Sequence, residues 1–206
     1  MRKNWKILID AFRTELELIY KNKKLEDMYC TVGKKAFAKC KKYKKSLEFK
    51  RLSEVVKNHQ YHNIRTIEKS AAASNAFALD IKNNETNEKL VDFRFYQLEY
   101  AKQLDLWQDS YRIIDDVNTL MKSRKRVGID VLHKYYQNIY QIFWNARLYL
   151  YHAAAYQSYY TCLKSNKPDG IELEETSSIL ILSVLSIPKN PTELSQSPDI
   201  FRKNCL

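Results

Sequence analysis

Apolar residues recur along this chain at intervals of three and four rather than two, the spacing of one face of an α-helix. A first stripe joins Trp5, Ile9, Phe12, Leu16 and Ile19. A second holds Leu25, Tyr29, Val32, Ala36, Cys40 and Tyr43, all within about 40° of a common direction at 100° per residue. A third gathers Leu52, Val55, Val56 and His59, and a fourth Leu90, Phe93, Ala101 and Leu104. The fifth offers Leu106, Ser110, Ile113, Val117 and Leu120; the sixth Leu132, Tyr136, Ile139 and Phe143; the seventh Leu148, His152, Ala155, Tyr159 and Cys162. An eighth runs from Leu180 to about Ile187, after a turn at Lys167, Pro168, Asp169 and Gly170.

Turn residues agree with this reading. No proline precedes Pro168, and Gly33 and Gly128 are the only glycines before Gly170. Strand-rich chains need such residues every 8–12 positions or so. The pattern therefore predicts an all-α chain of about eight helices joined by short connections, packed as antiparallel pairs in an α-solenoid. Residues 3–69 form the first helical pairs, with a basic second helix, and residues 70–86 read as a polar, asparagine-rich loop. Residues 87–187 hold the remaining helices, and 188–206, interrupted by Pro188, Pro191 and Pro198, read as a loose tail.

Composition narrows the function more by exclusion than by signal. The 206 residues are 45% hydrophobic and 29% charged, a globular balance. No apolar run approaches the roughly 20 residues that span a bilayer, and no signal-peptide pattern opens the chain, so the cytoplasm is the expected compartment and no membrane partner is expected. Cys30, Cys40, Cys162 and Cys205 form no close pair, which argues against a zinc framework or a disulfide scaffold. Catalytic motifs for phosphate loops, nucleophile elbows and metalloproteases are absent from the sequence. His59 and His62 share a helix face, but no third ligand stands at the next helical positions, and His59 lies on the apolar stripe as a packed side chain. His152 falls in the seventh stripe, and His133 reads as a lone surface residue. Asp115 and Asp116 point about 100° apart, poor geometry for paired acid–base work, and read as a solvated face. The expectation is a non-enzyme with no cofactor and no metal.

One constellation stands out, and it is basic. The net charge is +11, and residues 34–51 contain nine lysines or arginines against one acid, Glu48. Lys34, Lys41 and Lys45 project opposite the second apolar stripe, with Lys35 and Lys42 beside them. Lys122, Arg124, Lys125 and Arg126 form a second cluster. Such a ridge can meet phosphates without reading sequence. Lysine-rich codon usage in an A/T-rich genome, or an acidic protein partner, would give the same residues, and the sequence leaves these open. The tyrosines read mainly as packing rather than base-stacking platforms.

Several segments carry a resemblance. Trp5-Lys6 with Phe12-Arg13, Ala36-Phe37, Cys40, Tyr43, Glu48-Phe49, Leu52, Leu106-Trp107-Gln108, Tyr135-Tyr136, Phe143-Trp144, His152-Ala153 and Leu185-Ser186-Ile187-Pro188 keep their order and spacing over residues 4–190. In these the chain resembles the N-terminal helical-repeat region of the family formed by the largest subunit of eukaryotic translation initiation factor 3. The resemblance implies tetratricopeptide-like helical pairs leading toward a PCI domain, in a non-enzymatic scaffold. Its implied partners are other subunits of the factor, the c subunit foremost, the proteins and rRNA of the small ribosomal subunit, and mRNA. The implied role is docking the factor there for recruitment of mRNA and initiator tRNA. The winged helix, earlier repeats and charged extension of the full-length pattern are not expected in this chain. Two alternatives stay open on the sequence alone: an RNA-contacting basic module, or a helical-repeat subunit of another PCI assembly such as the proteasome lid or the signalosome.

Overall fold

The computed structural model describes residues 2–69, 83–124, 127–165 and 170–189. They fold into eight α-helices and one 3₁₀ turn, Lys23–Leu25. The helices are α1 (Arg2–Ile19), α2 (Glu26–Lys42), α3 (Ser46–Lys69), α4 (Asn84–Gln103), α5 (Trp107–Lys122), α6 (Ile129–Asn145), α7 (Tyr149–Ser165) and α8 (Gly170–Leu185). Helix α2 packs on α1, α3 and α4, α1 also meets α3, and α4 packs on α5, while α7 packs on α6 and on α8. The chain divides into two compact units, Met1–Lys125 and Arg126–Leu206.

The turns of three pairs share one geometry. Helices α2, α4 and α6 each end with a residue in the left-handed region, Lys44 (φ 50°), Asp105 (φ 56°) and Arg147 (φ 58°). In each, the next backbone N–H reaches back five residues, Lys45 to Cys40, Leu106 to Ala101 and Leu148 to Phe143, at 2.8–3.0 Å. The left-handed residue's own N–H bonds to Lys41, Lys102 or Trp144. This is the Schellman arrangement, which satisfies carbonyls that a helix end leaves unpaired. It recurs without the glycine that usually occupies the left-handed position.

The core of the first unit is aromatic. Phe37, Phe49 and Phe93 are almost wholly buried, with ring centroids 5.0 Å apart for Phe37–Phe49 and 6.0 Å for Phe37–Phe93. Gly33 sits on α2 directly under the Phe93 ring tip, so the close approach of α2 and α4 requires a residue without Cβ. Helix α4 lies between α2 and α5 and buries polar as well as apolar residues. Arg94, 2% exposed, gives its Nε–H and Nη2–H to Gln60 Oε1 at 2.9 and 2.6 Å, and Nη1–H to Gln97 Oε1 at 2.9 Å. Its Nη2 also lies 3.5 Å from Asp116 Oδ2. Asp116 is therefore not the solvated acid its neighbour suggested; only Asp115 is exposed. Burial pushes the Asp116 carboxyl up, and the Arg94 charge opposes that shift.

Other expectations shift by a turn or a face. Residues 84–86, read as part of a loop, open α4, whose first turn is capped by Asn83 accepting from the Glu85 N–H at 3.1 Å. The rest of that loop, 70–82, and the tail from 190 onward lie outside the described residues, as do residues 167–169 of the expected turn. Tyr43 does not join the buried stripe; it follows the last residue of α2 as its C-cap and is 46% exposed. On α6 only Ile142 and Phe143 are buried. Helix α8 turns Thr176 and Ser183 inward and leaves Ile179, Ile181, Leu182 and Leu185 exposed. Among the described residues no helix is long and apolar enough to cross a membrane.

Candidate nucleic-acid interface

The charge is unevenly placed. Residues 1–125 contain 27 lysines and arginines against 17 acids, whereas residues 126–206 contain 8 against 7. Nearly all of the excess positive charge therefore lies in one unit.

Helix α2 organises that charge. Its first turn carries Glu26 and Asp27 and its last turn Lys39, Lys41 and Lys42, each sign at the end of the helix dipole that favours it. The acids are tied to α4 through Lys89, whose Nζ lies 2.8 Å from Glu26 Oε1 and 3.0 Å from Asp27 Oδ1. Compensation of the dipole alone needs about half a unit charge, yet residues 34–45 hold seven lysines and no acid. The dipole accounts for a small part of them.

Lys35, Lys41, Lys42 and Lys45 are exposed and Lys34 is half-buried. Among the described residues none of these five is ion-paired; the nearby acids Glu48 and Glu99 pair instead with Arg51 at 3.2 Å and Lys102 at 3.3 Å. Two of the five stand over aromatic rings of α4. Lys34 Nζ is 5.6 Å from the Tyr96 centroid, and Lys41 Nζ is 4.9 Å from that of Tyr100. Lys42 Nζ stands 5.6 Å from the ring of Tyr43, which Trp5 meets edge-on at 4.5 Å. Contacts of this kind hold an ammonium group by the negative face of the ring while its N–H donors remain available. The Tyr100 hydroxyl donates to that of Tyr96 at 2.6 Å, and the two rings meet edge to face. Burial first, then the bond from Tyr100, pushes the Tyr96 hydroxyl up to about 12, so it stays neutral.

The second basic cluster does not join this surface. Lys122 is exposed, but the Arg124 side chain is only 3% exposed and its Nη2–H donates to Glu88 Oε1 at 2.6 Å. Arg124 is a tie between α5 and the start of α4, not a phosphate contact. Lys125 and Arg126 lie outside the described residues. Sequence reasoning missed Tyr43, Tyr96 and Tyr100. A signal for Tyr43 was present in the Lys-Lys-Tyr-Lys-Lys run at 41–45; Tyr96 and Tyr100, four apart, share one edge of a helix, but nothing local sets that edge beside α2.

Other polar groups are structural. Tyr20 stacks on His59 at 3.9 Å, and the Tyr29 hydroxyl, kept protonated by burial, shares a hydrogen bond with His59 Nδ1 at 3.2 Å. Burial is the main cause that lowers His59 to about 4. Burial also pushes the Cys30 thiol up to about 11 and Cys40 to about 12, the opposite of a reactive cysteine. In the second unit an apolar groove of about 340 Å³ lies between Tyr140, Trp144, His152, Tyr156, Ile179 and Leu182. His152 Nδ1–H donates to the Tyr140 carbonyl at 2.8 Å, which fixes the ring as part of its wall. Half-buried His133 lies against Tyr159 at 4.6 Å rather than free on the surface. No group of three or more metal-ligating side chains gathers among the described residues.

Comparison with known proteins assigns this fold. The family described as "eIF3a, PCI domain, TPR-like region" matches residues 2–204. The A subunit of eukaryotic translation initiation factor 3 from Aspergillus niger is 35% identical over 97% of this chain, covering 20% of its own length. The protein of the same name from Schizosaccharomyces pombe is 37% identical over 89% of the chain and 18% of its own length. That of Emericella nidulans is 34% identical over 97% of the chain and 21% of its length. The chain thus spans about a fifth of the length of the curated relatives it matches. Helices packed in adjacent pairs are what a TPR-like region consists of, and with a match over nearly every residue the chain belongs to the eIF3a family, in its PCI-domain, TPR-like region.

Proposed function

We propose that this chain is a non-catalytic docking segment of eukaryotic translation initiation factor 3. In this reading it works in the cytoplasm, joins the c subunit and other subunits of the factor, and helps seat the factor on proteins and rRNA of the small ribosomal subunit. The seated factor then recruits mRNA and initiator tRNA. The observation that carries this is the family match over residues 2–204. Paired helices suit the role because each pair buries one face on its neighbour and leaves the other for partners. The test is to add the 206-residue chain to purified small ribosomal subunits, with and without the c subunit, and to sediment the mixture. Sedimentation with the ribosomal subunits, strengthened by the c subunit, is the expected result. A chain that stays in the supernatant in both mixtures overturns the reading.

A second reading, direct contact with RNA, is favoured by one specific observation. The excess positive charge lies in residues 1–125 and is densest on α2. The two readings are compatible, since a ribosomal docking surface includes RNA.

A further inference from the structure

We infer that the C-terminal half of α2 and the adjoining edge of α4 form a binding strip for single-stranded RNA. In this strip Lys34, Lys41 and Lys42 take backbone phosphates, the exposed ring of Tyr43 stacks on a base, and Tyr96 and Tyr100 hold the lysines in place. The inference deepens the docking reading and rests on it for the source of the RNA.

Three features point to a nucleic acid rather than to an acidic protein segment. First, the cations are held in place. A free lysine loses up to about 2 kcal/mol of side-chain entropy when it is fixed, and the rings of Tyr96, Tyr100 and Tyr43 lie under three of the ammonium groups at 5.6, 4.9 and 5.6 Å. Second, the spacing suits a repeating anion. Lys34 and Lys41 are two helical turns apart, about 10.5 Å along the axis, a distance that a chain with one phosphate per nucleotide meets without distortion. Third, an aromatic ring is exposed among the charges. Tyr43 is 46% exposed, steadied by a T-shaped contact with Trp5, and flanked by two lysines on each side. A peptide carboxylate has no use for that ring, whereas every base has a face that stacks on one. The strip presents donors and a ring but no pattern of acceptors, so it should tolerate any base sequence.

Helix α2 also presents its negative dipole end here, which disfavours phosphate. That end is worth about half a charge, against four lysines within residues 41–45. The lysines prevail.

The test uses the 206-residue chain and a fluorescein-labelled dodecamer of uridylate, with anisotropy read from 50 to 200 mM salt. Changing Lys34, Lys41 and Lys42 together to Gln should make the log–log salt slope shallower by about 2, at roughly 0.7 per phosphate of a single strand. Tyr43→Ala should weaken binding about tenfold at fixed salt and leave the slope alone, while Tyr43→Phe should bind as the parent does. Tyr43→Phe keeps the ring and so guards against a folding artefact. An unchanged slope in the triple variant overturns the strip, as does an oligoglutamate of equal charge that binds more tightly than the RNA. The same variants are sedimented with small ribosomal subunits. Retained sedimentation with RNA binding indifferent to these residues overturns the strip and leaves the docking reading standing. Strip-dependent RNA binding without sedimentation does the reverse.

Discussion

His59 shows how a single burial sets the response of the fold to acid. It is 7% exposed, stacked on Tyr20 and hydrogen-bonded to the Tyr29 hydroxyl, and its neighbours His62, Arg94 and Lys21 add positive potential to the cost of burial. Its folded pKa, about 4, lies below the ordinary 6.5. The unfolded chain therefore binds the extra proton between those values, and stability is complete above about pH 6.5 and falls as pH drops toward 4. At about 1.4 kcal/mol per pH unit the loss is on the order of 3 kcal/mol. Urea melts at pH 7.5 and pH 5 should show a drop in the parent that His59→Gln largely abolishes. Equal pH sensitivity in both proteins would show that other groups carry it. Gly33 makes a complementary residue-scale case. Gly33→Ala should improve helix propensity by about 1 kcal/mol, but the added Cβ overlaps the tip of Phe93, itself 1% exposed. Overpacking costs about 1–3 kcal/mol, so a lower melting temperature is expected, and a higher one would mean that the α2–α4 contact yields easily.

At the scale of elements, the three left-handed turn residues make a direct stability test. Asp105 holds φ 56° in a conformation that costs an L-residue roughly 1–2 kcal/mol, while glycine costs about 0.5–1 kcal/mol in entropy. Asp105→Gly should therefore stabilise the first unit by about 0.5–1 kcal/mol in a denaturant melt, and a loss of stability would mean that the Asp105 side chain contributes something the backbone does not. These turns also mark where the sequence stops being readable. Helix number and type follow from apolar spacing, because the 3.6-residue period survives any arrangement of neighbours. The turn geometry does not, because Lys44, Asp105 and Arg147 carry no glycine signal. Nor does the face of α4. Buried between two helices, it places Arg94, Gln97 and Asn87 inside, and their partners Gln60, Asp116, Ser53 and Ser123 come from distant segments that no local window connects. Tyr43 departs from its stripe for a simpler reason: the helix ends one residue before it, so helical phase no longer decides where its ring points. The lysine ridge is legible as a run of like charges. Its tyrosine underlay is not, since Tyr96 and Tyr100 come from another helix.

Across the whole molecule, the two units differ in kind. Residues 1–125 carry nearly all the net charge, an aromatic core and a buried polar network. Residues 126–206 are close to neutral and expose apolar side chains along α8. Such a division suits a segment that meets an anionic surface with one unit and apolar partners with the other. The most direct test is co-sedimentation of the 206-residue chain with small ribosomal subunits across a salt series, beside a variant with Lys34, Lys41 and Lys45 changed to Glu. Binding that weakens steeply with salt, and is lost in a variant whose melting temperature is unchanged, is the predicted result. Binding that ignores both salt and substitution would contradict it and place the contact away from the basic face of α2.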